Sequence, residues 1–217
     1  LAGRALAIEP LRRFADAVLY CFHPGIEGGR ALADIIFGTV SPSAKLPVTL
    51  PRAPGQIPIY YSQRSTGRPP ERTARYTTKA IDIPSTPLYP FGWGLSYAQF
   101  SYSNLRISPE LATDGQSIIV LATITNTSPS PGTETVQLYI RDEVRSTAPP
   151  QWELKRFLRI ELAAGASSEV AFELASADLG FWQHGSSWRT EPGLFTLRVG
   201  PDSQGGITGQ FKLLEQN

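Results

Sequence analysis

Thr135-Val136-Gln137-Leu138-Tyr139-Ile140 alternates, and the alternation places Val136, Leu138 and Ile140 on one face of an extended chain. Phe195, Leu197 and Val199 repeat the pattern. Short strand-like runs surround these two: Leu105 to Ile107, Ser117 to Thr125, Thr135 to Ile140, Phe157 to Leu162, Glu169 to Leu174, Leu194 to Val199 and Thr208 to Leu213. Turn clusters at Asn126 to Gly132, Ala163 to Ser167 and Glu191-Pro192-Gly193 separate several of them. Seven short strands in about 110 residues is the arithmetic of an immunoglobulin-like or fibronectin-type sandwich. The single cysteine, Cys21, lies outside this region, so no disulfide crosses the sandwich and the fibronectin-like version is favoured.

Upstream of about Phe100 the character differs. Glu9 to Ala17 carries helix formers, and Ala17 to Phe22 reads as a buried strand, with Cys21 a core residue within it. His23-Pro24-Gly25 breaks that strand. A helix is expected over Arg30 to Phe37, where Ala31, Leu32, Ile35 and Ile36 recur at helical spacing, with Gly38 as its C′ residue. A strand–loop–helix unit of this kind belongs to an α/β sheet, whose ligand crevice lies at the carboxyl ends of the strands; the loop His23 to Gly29 would sit there. From Ser41 to Tyr97 prolines are too frequent for helix, yet Tyr60, Tyr61, Tyr76, Tyr89, Phe91, Trp93 and Tyr97 are too many large apolar groups for a disordered linker. The segment reads as an ordered, extended arm. Within it, Phe91, Trp93, Leu95 and Tyr97 would share one face as an anchor between the two regions, with Gly92 and Gly94 allowing close approach or positive φ. The expected organisation is 1–55, the end of an α/β sandwich; 56–100, the arm; and 101–217, the β-sandwich, with the change falling near Gln99 to Ser103.

Composition excludes several classes. The 217 residues carry 20 basic and 19 acidic side chains, a net charge of +1, which gives no electrostatic footprint for nucleic acid. The apolar runs are far short of the ~20 residues that a membrane helix needs. The sequence begins at Leu1 and has no methionine, so a fragment of a longer product is expected.

Pro24-Gly25-Ile26-Glu27-Gly28-Gly29 followed by Ala33-Asp34-Ile35-Ile36-Phe37-Gly38 resembles the second domain of glycoside hydrolase family 3. Pro42-Ser43-Ala44-Lys45-Leu46-Pro47, Gly55-Gln56-Ile57-Pro58 with Tyr60-Tyr61, Thr66-Gly67-Arg68-Pro69 and Tyr89-Pro90-Phe91-Gly92-Trp93-Gly94-Leu95-Ser96-Tyr97 continue the likeness. Leu154-Lys155-Arg156-Phe157 and Glu191-Pro192-Gly193 look like the fibronectin type III-like domain that closes many of these enzymes. The resemblance implies the C-terminal part of a retaining β-glycosidase, of periplasmic or secreted β-glucosidase type, with β-xylosidases close by. It also implies that both catalytic carboxylates lie upstream of Leu1, with Leu1-Ala2-Gly3-Arg4 the tail of a late strand of the second domain. No cofactor and no metal are implied. The partners implied are a β-linked glucoside or oligosaccharide, the N-terminal domains and, as an option, a second copy of the chain; nucleic acid and membrane are not.

Candidate side chains follow from position. Glu27 is either a helix-start acid held by the dipole, worth ~0.3–1 kcal/mol, or a rim residue of the cleft. His23 is a structural hydrogen-bonding residue or a base; His184 lies in a turn of the sandwich, away from it. Arg64, Arg68, Arg72 and Arg75 beside Tyr76 suit packing or sugar contact alike. His23, Glu27 and Arg68 are thus the substrate-binding candidates. Asp142 and Glu143 are adjacent: on a strand they would point to opposite faces and on a loop they would be solvated, whereas retaining chemistry needs carboxyl groups ~5–5.5 Å apart. Trp152, Trp182 and Trp188 could form a sugar platform, but at least two are expected to be buried. Asn126-Thr127-Ser128 fits the glycosylation acceptor pattern. The rival to the enzyme reading is a non-catalytic module that binds carbohydrate or a protein partner through the sandwich.

Overall fold

The computed structural model describes residues 3–71, 73–183, 185 and 187–215. The described residues form ten strands: β1 Phe100–Ser108, β2 Leu111–Ala112, β3 Ile118–Asn126, β4 Gly132–Asp142, β5 Glu153–Leu162, β6 Ser167–Leu174, β7 Phe181–Trp182, β8 Trp188–Arg189, β9 Gly193–Gly200 and β10 Ile207–Leu213. One sheet has the order β1-β3-β6, the other β2-β10-β9-β4-β5, and β7-β8 is a separate hairpin. All pairs are antiparallel except β2 with β10. Each of the seven strand-like runs coincides with a strand; β2, β7 and β8, two residues each, are too short to show a period.

Alternation accounts for the core. Ile118, Val120, Ala122 and Ile124 of β3 face Val136, Leu138 and Ile140 of β4 and Phe195, Leu197 and Val199 of β9, all buried. Phe195 and Phe211, cross-strand partners on β9 and β10, stack at 5.2 Å. Asn126 is fully buried. Its Nδ2 donates to the carbonyls of Ser130, Leu162 and Ala163, and its Oδ1 accepts from the Ser128 N–H and hydroxyl. That side chain staples a turn; it is not presented as a glycosylation acceptor.

β4 departs from simple alternation because Gln137 and Tyr139, on the face away from the core, are buried as well. The arm covers them. Tyr61 meets the Tyr139 ring edge-on at 5.8 Å and stacks on Phe91 at 4.3 Å, while Gln137 Nε2 donates to the carbonyls of Gly92 and Pro201. The arm is itself zipped. Leu46 N–H donates to Trp93 C=O (2.7 Å), Gly92 N–H to Leu46 C=O (2.8 Å) and Leu50 N–H to Tyr89 C=O (2.9 Å). Ile8, Leu50 and Leu88 form a second small core with Tyr20, Leu46, Val48 and Tyr89 against it.

The anchor is built differently from the single apolar face expected. Gly92 has φ +80° and turns the chain, so the alternation resets. Phe91 and Trp93 are half-buried, Trp93 stacking on Tyr89 at 5.9 Å, but Leu95 and Tyr97 are exposed. Tyr97 contributes through its hydroxyl, which donates to the Ile35 carbonyl at 2.6 Å.

The N-terminal region also differs from expectation. The helix over Glu9 to Ala17 contracts to a 3-10 turn at Glu9–Arg13, and Ala17 to Phe22 forms no strand. A strand of this apolar, doubly covered type needs neighbours to take its N–H and C=O groups, and none pairs with it among the described residues. Val18 and Leu19 are consequently exposed, and Cys21 is half-buried instead of in a core. The second helix forms as α1, Gly28–Ile36, and ends at Gly38, φ +77°, whose N–H donates to Ile35 C=O. Of Trp152, Trp182 and Trp188, only Trp152 is half-buried, under the Arg198 guanidinium at 4.0 Å; Trp182 and Trp188 are exposed, against the expectation that two would be interior.

A methyl group on Gly92 would lie 2.2 Å from Gln137 Oε1, in addition to the strain of φ +80°. Gly92→Ala should lower stability by roughly 2–5 kcal/mol, measured as the shift in urea-unfolding midpoint. Gly29→Ala, with open space around the new methyl in the first turn of α1, should leave it unchanged or slightly higher.

Candidate functional site

The loop ahead of α1 is a tight turn. Gly25 has φ +77°, Gly28 N–H donates to Gly25 C=O at 3.2 Å, and Gly28 is buried so closely on Pro24 that a Cβ would sit 2.7 Å from its Cγ. The turn presents His23 and Glu27 to solvent. Glu27 is the N-cap residue of α1, and its carboxylate makes no capping hydrogen bond, so it adds charge near the positive helix end without closing it. The backbone of Gly3 packs against the His23 ring, 2.5 Å separating Nε2 from a Cβ built there.

Arg68 lies elsewhere, on the outer part of the arm, and is exposed. Its carbonyl accepts from the N–H and hydroxyl of Thr78, at 3.1 and 2.9 Å, which closes the loop that carries it. No hydrogen bond or ion pair joins Arg68 to His23 or Glu27 among the described residues. Arg64 bridges to Pro150 through backbone, and Arg75 sits over the exposed Tyr76 ring at 5.7 Å. Arg72, His184, Leu1 and Ala2 lie outside the described residues.

Asp142 ends β4 and Glu143 stands in the bend just after it, and the two side chains have separate surroundings. Thr196 Oγ1 donates to Glu143 at 2.5 Å and Arg141 Nε stands 3.3 Å from the same carboxylate. Asp142 is buried with Oδ1 unpartnered. Burial pushes its pKa up from 3.8 to about 6, against the pull of Arg145 and the Val144 N–H, with Glu191 and Glu153 adding a smaller upward push. Among the described residues no group of three or more His, Cys, Asp or Glu could hold a metal ion, and no helix is long and apolar enough to cross a membrane.

A polar junction that pattern reading missed joins the arm to the sandwich. Glu134, nearly inaccessible, pairs with Lys45 Nζ at 3.1 Å and accepts the Tyr102 hydroxyl at 3.0 Å. Lys45 also donates to Gly94 C=O, Thr135 Oγ1 to Ser43 C=O, and Arg159 to Ser43 Oγ at 2.8 Å. An open groove of about 370 Å³ follows this seam, lined by Ser43, Lys45, Leu46, Phe91, Thr135 and Phe157 among others. One signal was available: Glu134 stands in phase with Val136, Leu138 and Ile140, which put a carboxylate on the core side of β4.

The segment that carries α1 is thus joined through an ordered arm to a fibronectin-like β-sandwich. Residues 1–97 match the glycosyl hydrolase family 3 C-terminal domain, and residues 134–203 match the fibronectin type III-like domain. A periplasmic β-glucosidase of Salmonella typhimurium is 40% identical over 215 residues, 98% of this chain and 28% of the relative. A putative β-xylosidase of Formosa agariphila is 39% identical over 92% of this chain and 25% of its own length. A variant β-glucosidase of Listeria innocua, solved with laminaribiose, superposes with a TM-score of 0.92 at 37% identity over 99% of this chain and 30% of that one. The chain belongs to glycoside hydrolase family 3 and corresponds to the C-terminal part of its members, spanning less than a third of the length of these relatives.

Asp142 yields a signed pH dependence. Its folded pKa lies above the unfolded value, so it contributes stability fully below about pH 3.8, and that contribution is lost as pH rises through about 6. Asp142→Asn should therefore stabilise the chain at pH 7.5, by at most about 3 kcal/mol, and should change little at pH 4. Urea-unfolding midpoints of both proteins across pH 4–8 check this.

Proposed function

We propose that this chain serves as the C-terminal part of a retaining β-glycosidase that removes terminal β-linked sugars, a β-glucosidase before a β-xylosidase, exported to the periplasm or secreted. The observation that carries the reading is identity of 34–40% with β-glucosidases and β-xylosidases that extends through remnant, arm and sandwich together. Within this reading residues 1–55 close the α/β domain, 56–100 form the arm and 101–217 the brace. The arm seals the outer face of β4, and the brace holds the α/β wall of the cleft in place. His23 and Glu27, held outward at the start of α1, and Arg68 on the arm are the side chains of this chain offered to the cleft rim. Retention needs a nucleophilic carboxylate and an acid/base carboxyl ~5–5.5 Å apart; both belong, in this reading, to polypeptide outside these residues, which is the chain's first partner.

The purified chain should show no turnover of an aryl β-glucoside above the buffer rate, whereas the whole polypeptide that carries it hydrolyses the same substrate with retention, read by NMR of the first-formed anomer. Turnover by the chain alone, abolished by Glu27→Gln, would contradict the proposal.

A further inference from the structure

β7 and β8 form a hairpin in which Phe181 pairs with Arg189 and Trp182 with Trp188. Directly opposed residues of an antiparallel ribbon project from the same side, so the two indoles belong to one face of the hairpin. Both are solvent-facing, at 65% for Trp182 and 53% for Trp188. Exposed paired indoles on a soluble domain are unusual, since such area is ordinarily buried or in use.

The pair is held rather than merely left outside. Phe181, the neighbour of Trp182, is buried beneath the Arg145 guanidinium at 4.4 Å, which fixes the strand to the body of the sandwich. Trp188 Nε1 donates to the Ala177 carbonyl at 3.1 Å, and the ring lies so close to Gly180 that a Cβ there would come within 2.2 Å of Nε1. One indole is therefore locked in orientation before any ligand arrives, which reduces the ordering cost of binding.

The rim says what the surface takes. Arg189, which follows Trp188 on β8, donates to Gln183 Oε1 at 2.8 Å and pairs with Glu191 at 3.5 Å. Among the described chain neighbours of the indoles, 181, 183, 187 and 189, the one charged group is thus engaged. Flat apolar faces edged by neutralised hydrogen-bonding groups match a pyranose, whose C–H face is apolar and whose hydroxyl edge is polar and uncharged.

We propose that Trp182 and Trp188 form an accessory carbohydrate platform that holds a neutral glycan chain on the sandwich, separate from the cleft. The choice of a β-linked glycan as ligand rests on the glycosidase reading; the platform's geometry does not. The test is affinity electrophoresis of the whole polypeptide in gels containing a soluble mixed-linkage β-glucan, with aryl β-glucoside hydrolysis measured on the same samples. The wild type should be retarded. Trp182→Ala should weaken the apparent affinity about tenfold with hydrolysis unchanged, and Trp182→Tyr, which keeps a ring, should retain most of the retardation. Absence of retardation in the wild type, or equal retardation of Trp182→Ala, would overturn the platform even if hydrolysis is intact. A lowered melting temperature of Trp182→Ala with unchanged glucan affinity would assign the indoles to packing and overturn it too. Retardation without hydrolysis would leave the platform standing and overturn the glycosidase reading alone.

Discussion

The pairing of Lys45 with Glu134 is the constraint around which the junction is arranged. β4 places Glu134 on the core side of the sheet, where a carboxylate without a cation would carry a heavy desolvation cost. Tyr102 reaches it from the facing sheet, and Lys45 reaches it from the arm. The cation can be there only if the backbone around Ser43 to Leu46 is held against the sandwich. That in turn requires the bonds from Leu46 to Trp93 and from Gly92 to Leu46, and a residue at 94 without a side chain, since a Cβ there would sit 2.6 Å from the Ala44 carbonyl. A buried ion pair is weak evidence for stability as such, but it specifies one arrangement, because every alternative leaves a charge unpaired.

This explains why an arm with almost no regular secondary structure packs as part of the fold. Its order comes from β4, which is buried on both faces: the sandwich core takes Val136, Leu138 and Ile140, and the arm takes Gln137 and Tyr139. The arm then passes the connection on, through Tyr97 to the end of α1 and through Arg52 to Glu9 at 3.3 Å. The sandwich, which would otherwise hang from a linker, is thereby fixed to the segment that carries α1. For the glycosidase proposed above, whose two carboxyl groups must be held in close register, a rigid support is the contribution such a part can make.

The sandwich was legible in the sequence because its signals are local. Alternation over six to nine residues, as in β3, β4 and β9, reports one buried face without reference to anything distant. The helix α1 was legible for the same reason, down to Gly38. The apolar run Ala17 to Phe22 was equally visible, but whether such a run becomes a strand depends on hydrogen-bonding neighbours, and its own residues do not supply them. Leu46 with Trp93 was out of reach because two segments almost fifty residues apart choose each other by packing, not by period. At the site, His23, Glu27 and Arg68 could be placed on loops from Gly and Pro alone, yet loop position does not say whether side chains converge, and Arg68 is not bonded to the other two. Trp182 and Trp188 were judged by residue type, which favours the interior; the two-residue strands that hold them outside leave no periodic trace.

The central claim, that a buried ion pair locks arm to sandwich, is tested most directly by a double-mutant cycle on Lys45 and Glu134, using urea unfolding of Lys45→Met, Glu134→Leu and the double variant. Each single change should cost about 3–5 kcal/mol by stranding the other charge, and the double variant should recover most of that loss. Single changes costing under about 1 kcal/mol and adding independently, as exposed pairs do, would contradict the account.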